Sequence, residues 1–294
     1  MLKKTILVLL VLNLCLAIVP YANSQTEQVY TLDILGPTWG HSTISVLIIP
    51  SFNESWWNPI YLNSSLRAIN QWNEAIVYFA SNHTDYAYLS RLKIEPTISN
   101  STSSSFDVTV SWIKLFENLT CGAGLTRTYM NSRIINNSTI ELAAYDCQNR
   151  ILSETDTQNV ALQELGHSLG LGHTNTSGDP MYPTLSLSSP LRKISTLNIY
   201  GLATVFRWLT NSTEYNTTNQ ESPVNSVILP SNIAYDHLPV SVGNIPPPST
   251  AARVGYFFDD LGQLLQLDGL LLILSIVSII IVIFIVLIRV RKKF

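Results

Sequence analysis

The 294-residue chain predicts an α+β domain, and three observations carry that reading. The β-rich run Ile44-Ser45-Val46-Leu47-Ile48-Ile49 gives a first strand that Pro50 ends. Leu66, Ile69, Trp72, Ile76, Phe79 and Ala80 then recur at helical spacing, behind Asn63 or Ser64 as cap. Strand-type segments return before two further helices, so strands and helices follow one another in an α+β order.

The later strands fall at Tyr88 to Ile94, at Phe106 to Ile113 where Phe106, Val108, Val110 and Trp112 alternate, and at Ser138 to Tyr145. Thr155 or Asp156 can cap a second helix that Gly170 ends. A closing helix spans Thr196 to Leu209, with Ile199, Leu202, Phe206 and Leu209 on its apolar side. From Thr210 to Gly262 apolar periodicity fades and Asn, Ser, Thr and Pro accumulate, ending in Pro246-Pro247-Pro248. Residues 210–268 therefore read as a semi-extended stalk behind a domain at 25–209.

Both ends are apolar. Lys3 and Lys4, the run Ile6 to Val19 and the small residues of Ala22-Asn23-Ser24 make residues 1–24 a secretory signal cleaved after Ser24. Cys15 leaves with it. Gly269 to Ile288, interrupted only by Ser275 and Ser278, has about the ~20 residues that span a bilayer as a helix. Arg289, Arg291, Lys292 and Lys293 then mark 289–294 as a cytoplasmic tail. The expected location is the cell surface, with one pass through the membrane and the N-terminal domain outside.

Setting aside the six terminal cations leaves 11 Lys and Arg against 20 Asp and Glu, a formal −9 that argues against a nucleic-acid partner. Ten N-x-S/T triplets, at Asn53, Asn63, Asn82, Asn100, Asn118, Asn136, Asn137, Asn175, Asn211 and Asn216, predict glycosylation of several in an exported domain. The mature cysteines are Cys121 and Cys147. Export favours one disulfide over two free thiols, closing a loop of roughly 25 residues worth about 3 kcal/mol.

The chemistry is concentrated in Gln163-Glu164-Leu165-Gly166-His167-Ser168-Leu169-Gly170-Leu171-Gly172-His173, followed by Asp179-Pro180-Met181-Tyr182-Pro183. It follows the zinc pattern H-E-x-x-H-x-x-G-x-x-H with a downstream methionine turn, except that Gln163 stands for the first histidine. Residues four apart share a helical face, so positions 163 and 167 address one metal and Glu164 addresses the water on it. Gly170 lets the chain turn back so that His173 completes three protein ligands, leaving a fourth position open.

The segment from Ala161 to Pro183 resembles the active site of a metzincin metalloprotease of the matrixin branch, and the order of elements extends the resemblance over Ile44 to Leu209. The resemblance implies a twisted, mainly parallel sheet packed on two long helices with a closing C-terminal helix. It implies one catalytic Zn2+, a protein or peptide substrate, Glu164 as general base for a metal-activated water, and His167 and His173 as ligands. Met181 and Pro183 belong to the methionine turn, and Cys121 to Thr126 falls where that family has its substrate-pairing edge strand.

Gln163 is then a weakened or lost ligand, since zinc prefers nitrogen and sulfur donors over an amide oxygen. Gln25 to Thr43 is too short for a cysteine-switch prodomain and holds no cysteine. His41, His83 and His237 are the other histidines that could replace the missing ligand. Two functions follow: a membrane-anchored extracellular zinc metalloendopeptidase, or an inactive metzincin-like binding module at the cell surface.

Overall fold

The computed structural model describes residues 28–100, 105–117, 122–212, 215 and 224–239. The expected signal, membrane span and tail lie outside these residues. Among the described residues, no helix is long and apolar enough to cross a membrane.

In chain order the elements are β1 (Thr31–Ile34), β2 (Thr38–Trp39), β3 (Thr43–Ile48), α1 (Pro59–Asn82), β4 (Lys93–Ile98), β5 (Val108–Ile113), β6 (Gly124–Asn131) and β7 (Ile134–Ala143). Then follow α2 (Glu154–Ser168), β8 (Leu171–Thr174), α3 (Thr196–Val205) and β9 (Ser226–Ile228). The larger sheet runs β2-β7-β5-β3-β4 with every pairing parallel, and β6 adds antiparallel to β7. The expected mainly parallel sheet is therefore present. A second sheet, β8-β1-β9, is antiparallel and joins the two ends of the described chain to the strand that follows α2.

Helix α1 starts a turn earlier than expected from Asn63 or Ser64. Asn58 caps it by accepting from Ile60 N, with Pro59 at a position that needs no N–H. The expected strand at Tyr88 is instead a 3-10 helix, Thr84–Arg91, and the chain becomes extended only at Lys93. Pro96 is tolerated in β4 because β4 ends the sheet. Helix α2 is capped by Ser153 rather than by Thr155 or Asp156. Asp156 instead closes the reciprocal half of the capping box on Ser153 N. Helix α3 stops at Val205, and a 3-10 turn, Arg207–Thr210, carries the rest of the expected apolar stripe.

Helix α2 is largely buried and is tied to its neighbours by side-chain hydrogen bonds. Trp39 and Trp72, neither exposed to solvent, send their indole N–H groups to its carbonyls at Ser168 (2.9 Å) and Leu162 (3.1 Å). Ser64 on α1 donates to Glu154 O, and Arg67 donates to Gln158 and pairs with Glu154. The helix ends at Gly170, whose φ of 97° an L side chain rarely adopts and where a Cβ would press on Pro37 O.

The stalk boundary at 210 needs correction. Residues 224–239 pack on the domain: β9 pairs with β1, and Val227, Leu229, Ile233 and Leu238 are buried. Tyr235 stacks on Tyr30 with ring centroids 4.3 Å apart and donates to Asp179, while His237 bridges Ser195. Four well-spaced apolar residues in a polar background anchor this strap, too few to register as periodicity.

Asp179 shows what the strap holds. It is fully buried, and its carboxylate accepts from Met181 N (2.8 Å), Asn198 Nδ2 (2.9 Å), Ser195 Oγ (2.6 Å) and Tyr235 OH (3.1 Å). A hydrogen bond to a charged group is worth about 1.5–3 kcal/mol. Tyr235→Phe should therefore lower the unfolding free energy by about that amount in urea titration, with the m-value unchanged. An effect below a few tenths of a kcal/mol would mean that the strap does not bear on the methionine turn.

Candidate metal centre and cleft

Helix α2 presents one face to a cleft of about 850 Å³, on which Asp156, Val160, Gln163, Glu164 and His167 follow one another at helical spacing. Gly124, Leu125 and Thr126 of β6 form one wall, and the segment Pro183 to Leu187 forms the other. His173 enters from β8, which β1 holds in place through the Leu32 and Ile34 registers. The structure thus brings together every residue of the sequence-predicted centre: Gln163, Glu164, His167 and His173.

Two close approaches shape it. A Cβ on Gly166 would collide with the sulfur of Met181, so the missing side chain seats the methionine turn against α2. A Cβ on Gly124 would lie 2.6 Å from Glu164 Cγ and Oε1, so β6 passes directly over the carboxylate. The Thr126 hydroxyl lies 2.6 Å from Glu164 Oε2 and 3.0 Å from the Glu164 carbonyl oxygen, close enough to donate to either. Thr126 and Gly124 were not singled out in sequence as partners of Glu164. A glycine inside a strand, the mark of close backbone approach, was the available signal.

Glu164 is 6% exposed. Burial pushes its carboxyl up to about 7 against the opposing pull of the Thr126 hydrogen bond. The group sits near its midpoint at neutral pH, as a general base requires. His167 places Nδ1 2.9 Å from Leu171 O, an acceptor that fixes Nδ1 as the protonated nitrogen and leaves Nε2 with its lone pair. Desolvation lowers the pKa of both His167 and His173, and the His167 ring, 4.9 Å away between centroids, further disfavours charge on His173. Both imidazoles are thereby kept in the neutral form that ligates metals.

Gln163, 7% exposed, donates Nε2–H to Tyr182 O at 2.8 Å. The carbonyl it meets can only accept, so the amide nitrogen faces Tyr182 and Oε1 is its remaining acceptor. Among the described residues, no group of three or more His, Cys, Asp or Glu could hold a metal. The donors that face one another are two imidazole nitrogens and one neutral amide oxygen, a set zinc can use but with a weaker third ligand than nitrogen.

The other histidines do not supply the missing ligand. His41 pairs with Asp107 at 3.0 Å, and that hydrogen bond raises its pKa. His83 caps α1 against Phe79 and Tyr86, and His237 reaches Lys193 O; none of the three lines the cleft. Cys147 lines the cleft, whereas Cys121 lies outside the described residues. The sequon residues Asn53, Asn63, Asn82, Asn100, Asn136, Asn137, Asn175 and Asn211 are exposed, and Asn118 and Asn216 lie outside the described residues.

The model of the matrixin family matches residues 93–206, the span from β4 to the end of α3. No curated protein matches the chain. The matched span, less than half of the chain, is similar to the matrixin family, and the mainly parallel sheet agrees with that likeness.

Glu164 makes stability depend on pH. Its folded pKa is raised, so it favours the native state fully below its unfolded value of about 4.5, and that contribution is lost as pH rises through about 7. In chelator, wild type should lose roughly 3 kcal/mol relative to Glu164→Gln across that window, because 1 pKa unit is about 1.4 kcal/mol. The comparison cancels His167 and His173, whose lowered pKa values act in the opposite sense. Parallel wild-type and variant curves from urea unfolding would contradict the buried carboxyl.

Proposed function

We propose that this chain is a zinc-dependent metalloendopeptidase with an attenuated metal centre. The carrying observation is that Glu164, with its carboxyl near neutrality, shares one cleft with two neutral imidazoles beneath the edge strand β6. His167 Nε2, His173 and Gln163 Oε1 would hold the ion. An ion held there would supply Lewis acidity toward a water and a substrate carbonyl. Glu164 accepts the water's proton and passes it to the leaving amine, while Thr126 keeps the carboxylate aimed from above.

The same reading places the domain outside the cell, glycosylated at several of its exposed sequons and held by the segment 269–288. A Cys121–Cys147 bridge would tie the chain ahead of β6 to Cys147, which lines the cleft. A tag after Phe294 should then resist protease added to intact cells, while the domain is degraded. Degradation of the tag from outside would overturn that topology.

A second reading has its own observation. The Gln163 amide is committed to Tyr182 O, and only two histidines face the cleft, which suits a peptide-binding module without catalysis. Gln163→His separates the two. For an attenuated protease it should tighten zinc binding by well over the roughly 10–100-fold typical of changes around a metal centre, and raise peptide cleavage. Glu164→Ala should abolish that cleavage. No gain in zinc affinity and no cleavage across a peptide library would establish the binding module instead.

A further inference from the structure

A second cavity, of about 530 Å³, shares Thr184 and Ser186 with the cleft but is not lined by Glu164, His167 or His173. Arg192, Lys193 and His237 line it together with Thr184, Ser186 and Ser189, the last with its hydroxyl donated to Ser186 O, and no Asp or Glu lines it. In a chain with a formal excess of acidic residues, Arg192 and Lys193 side by side in a lining without a carboxylate is the unusual feature.

Arg192 sets the character of the cavity. It is only 8% exposed, yet among the described residues its guanidinium forms no salt bridge and donates to two backbone carbonyls, Asp179 O at 2.7 Å and Thr184 O at 2.9 Å. The Asp179 carboxylate acts on it electrostatically without a salt bridge and is itself hydrogen-bonded by four neutral donors. A buried guanidinium has five N–H donors and a charge that carbonyl dipoles compensate only in part. Lys193 is exposed beside it and has no ion-pair partner among the described residues.

The walls are held before any ligand arrives. Asp156 Oδ1 accepts from Ser188 N, Asn159 Nδ2 donates to Pro190 O, and Asn159 Oδ1 accepts from Arg192 N, which fixes the loop to α2. On the far side His237 reaches Lys193 O, and its backbone bridges Ser195. A preformed concave site with fixed donors spends little on ordering when it binds.

We propose that this cavity is a binding site for a tetrahedral oxyanion, a phosphate or sulfate group either free or carried on a small sugar. Arg192 offers planar donors to two of its oxygens, Lys193 supplies a mobile point charge, and the Thr184 and Ser186 hydroxyls complete the shell. Thr184 and Ser186 line both cavities, so an occupied site would stiffen the wall that the peptide cleft shares.

Isothermal titration of the purified full-length chain with inorganic phosphate, inorganic sulfate, glucose 6-phosphate and glucose tests this. Saturable binding of the three anions and none of glucose is expected, and tighter binding of the sugar phosphate than of inorganic phosphate would identify the carried group as the source. Lys193→Glu should weaken binding at least tenfold, whereas Lys93→Glu, exposed on β4, should leave it within twofold. Circular dichroism of Lys193→Glu checks that the fold is kept, since the Lys193 side chain is exposed and only its carbonyl serves the structure. Absence of saturable anion binding, or equal losses in the two lysine variants, would overturn the proposal. Neither variant touches Glu164, so the result is independent of peptidase activity.

Discussion

The structure around the cleft depends on one buried carboxylate. Asp179 has no exposed surface and, among the described residues, forms no salt bridge, so burying it requires that hydrogen-bond donors surround its oxygens. Those donors come from the methionine turn, from the cap of α3 and from the strap at 224–239. Three segments far apart in sequence are forced to one point. What they fix is the position of Met181, and with it the Tyr182 carbonyl that meets Gln163.

From that point the site helix is clamped on two sides. Met181 fills the space left by Gly166 beneath it, and β6 crosses over Glu164 through the space left by Gly124. Each approach puts backbone or sulfur where a side chain would otherwise stand, so desolvation of Glu164 follows from packing. The raised carboxyl pKa is thus the electrostatic consequence of burial beneath these close approaches, which outweighs the opposing pull of the Thr126 hydrogen bond.

The motif was legible because its spacing is local: helix α2, its end at Gly170, and the shared face of 163, 164 and 167 follow from a 3.6-residue period. So were α1, β3 and β5, whose apolar stripes are long. The short strands β1, β8 and β9 were not, since each has three or four residues and exists through pairing with remote partners. The same reason hid the strap. Val227, Leu229, Ile233 and Leu238 become a buried patch only when β9 docks on β1, and nothing in a Pro- and Asn-rich neighbourhood announces that contact. Tyr88 misled for a different reason: its ring belongs to an aromatic group with Tyr86, and its hydroxyl donates to Ala203 O from a 3-10 helix rather than from a strand.

Gln163 looks less damaging in three dimensions than in the motif. His167 uses one nitrogen to donate to a backbone carbonyl, Leu171 O, and keeps the other as an acceptor. Gln163 has the same division of labour, with Nε2–H given to Tyr182 O and Oε1 left as the acceptor. A neutral imidazole and a primary amide each combine one anchored donor with one free acceptor, so the substitution preserves how position 163 is held. What it changes is the donor atom, from nitrogen to a neutral oxygen that zinc prefers less. The physical distinction between a weak peptidase and a binding module therefore reduces to the strength of a single donor atom, because the helix face, the carbonyl that orients it, and the carboxylate beside it are all in place.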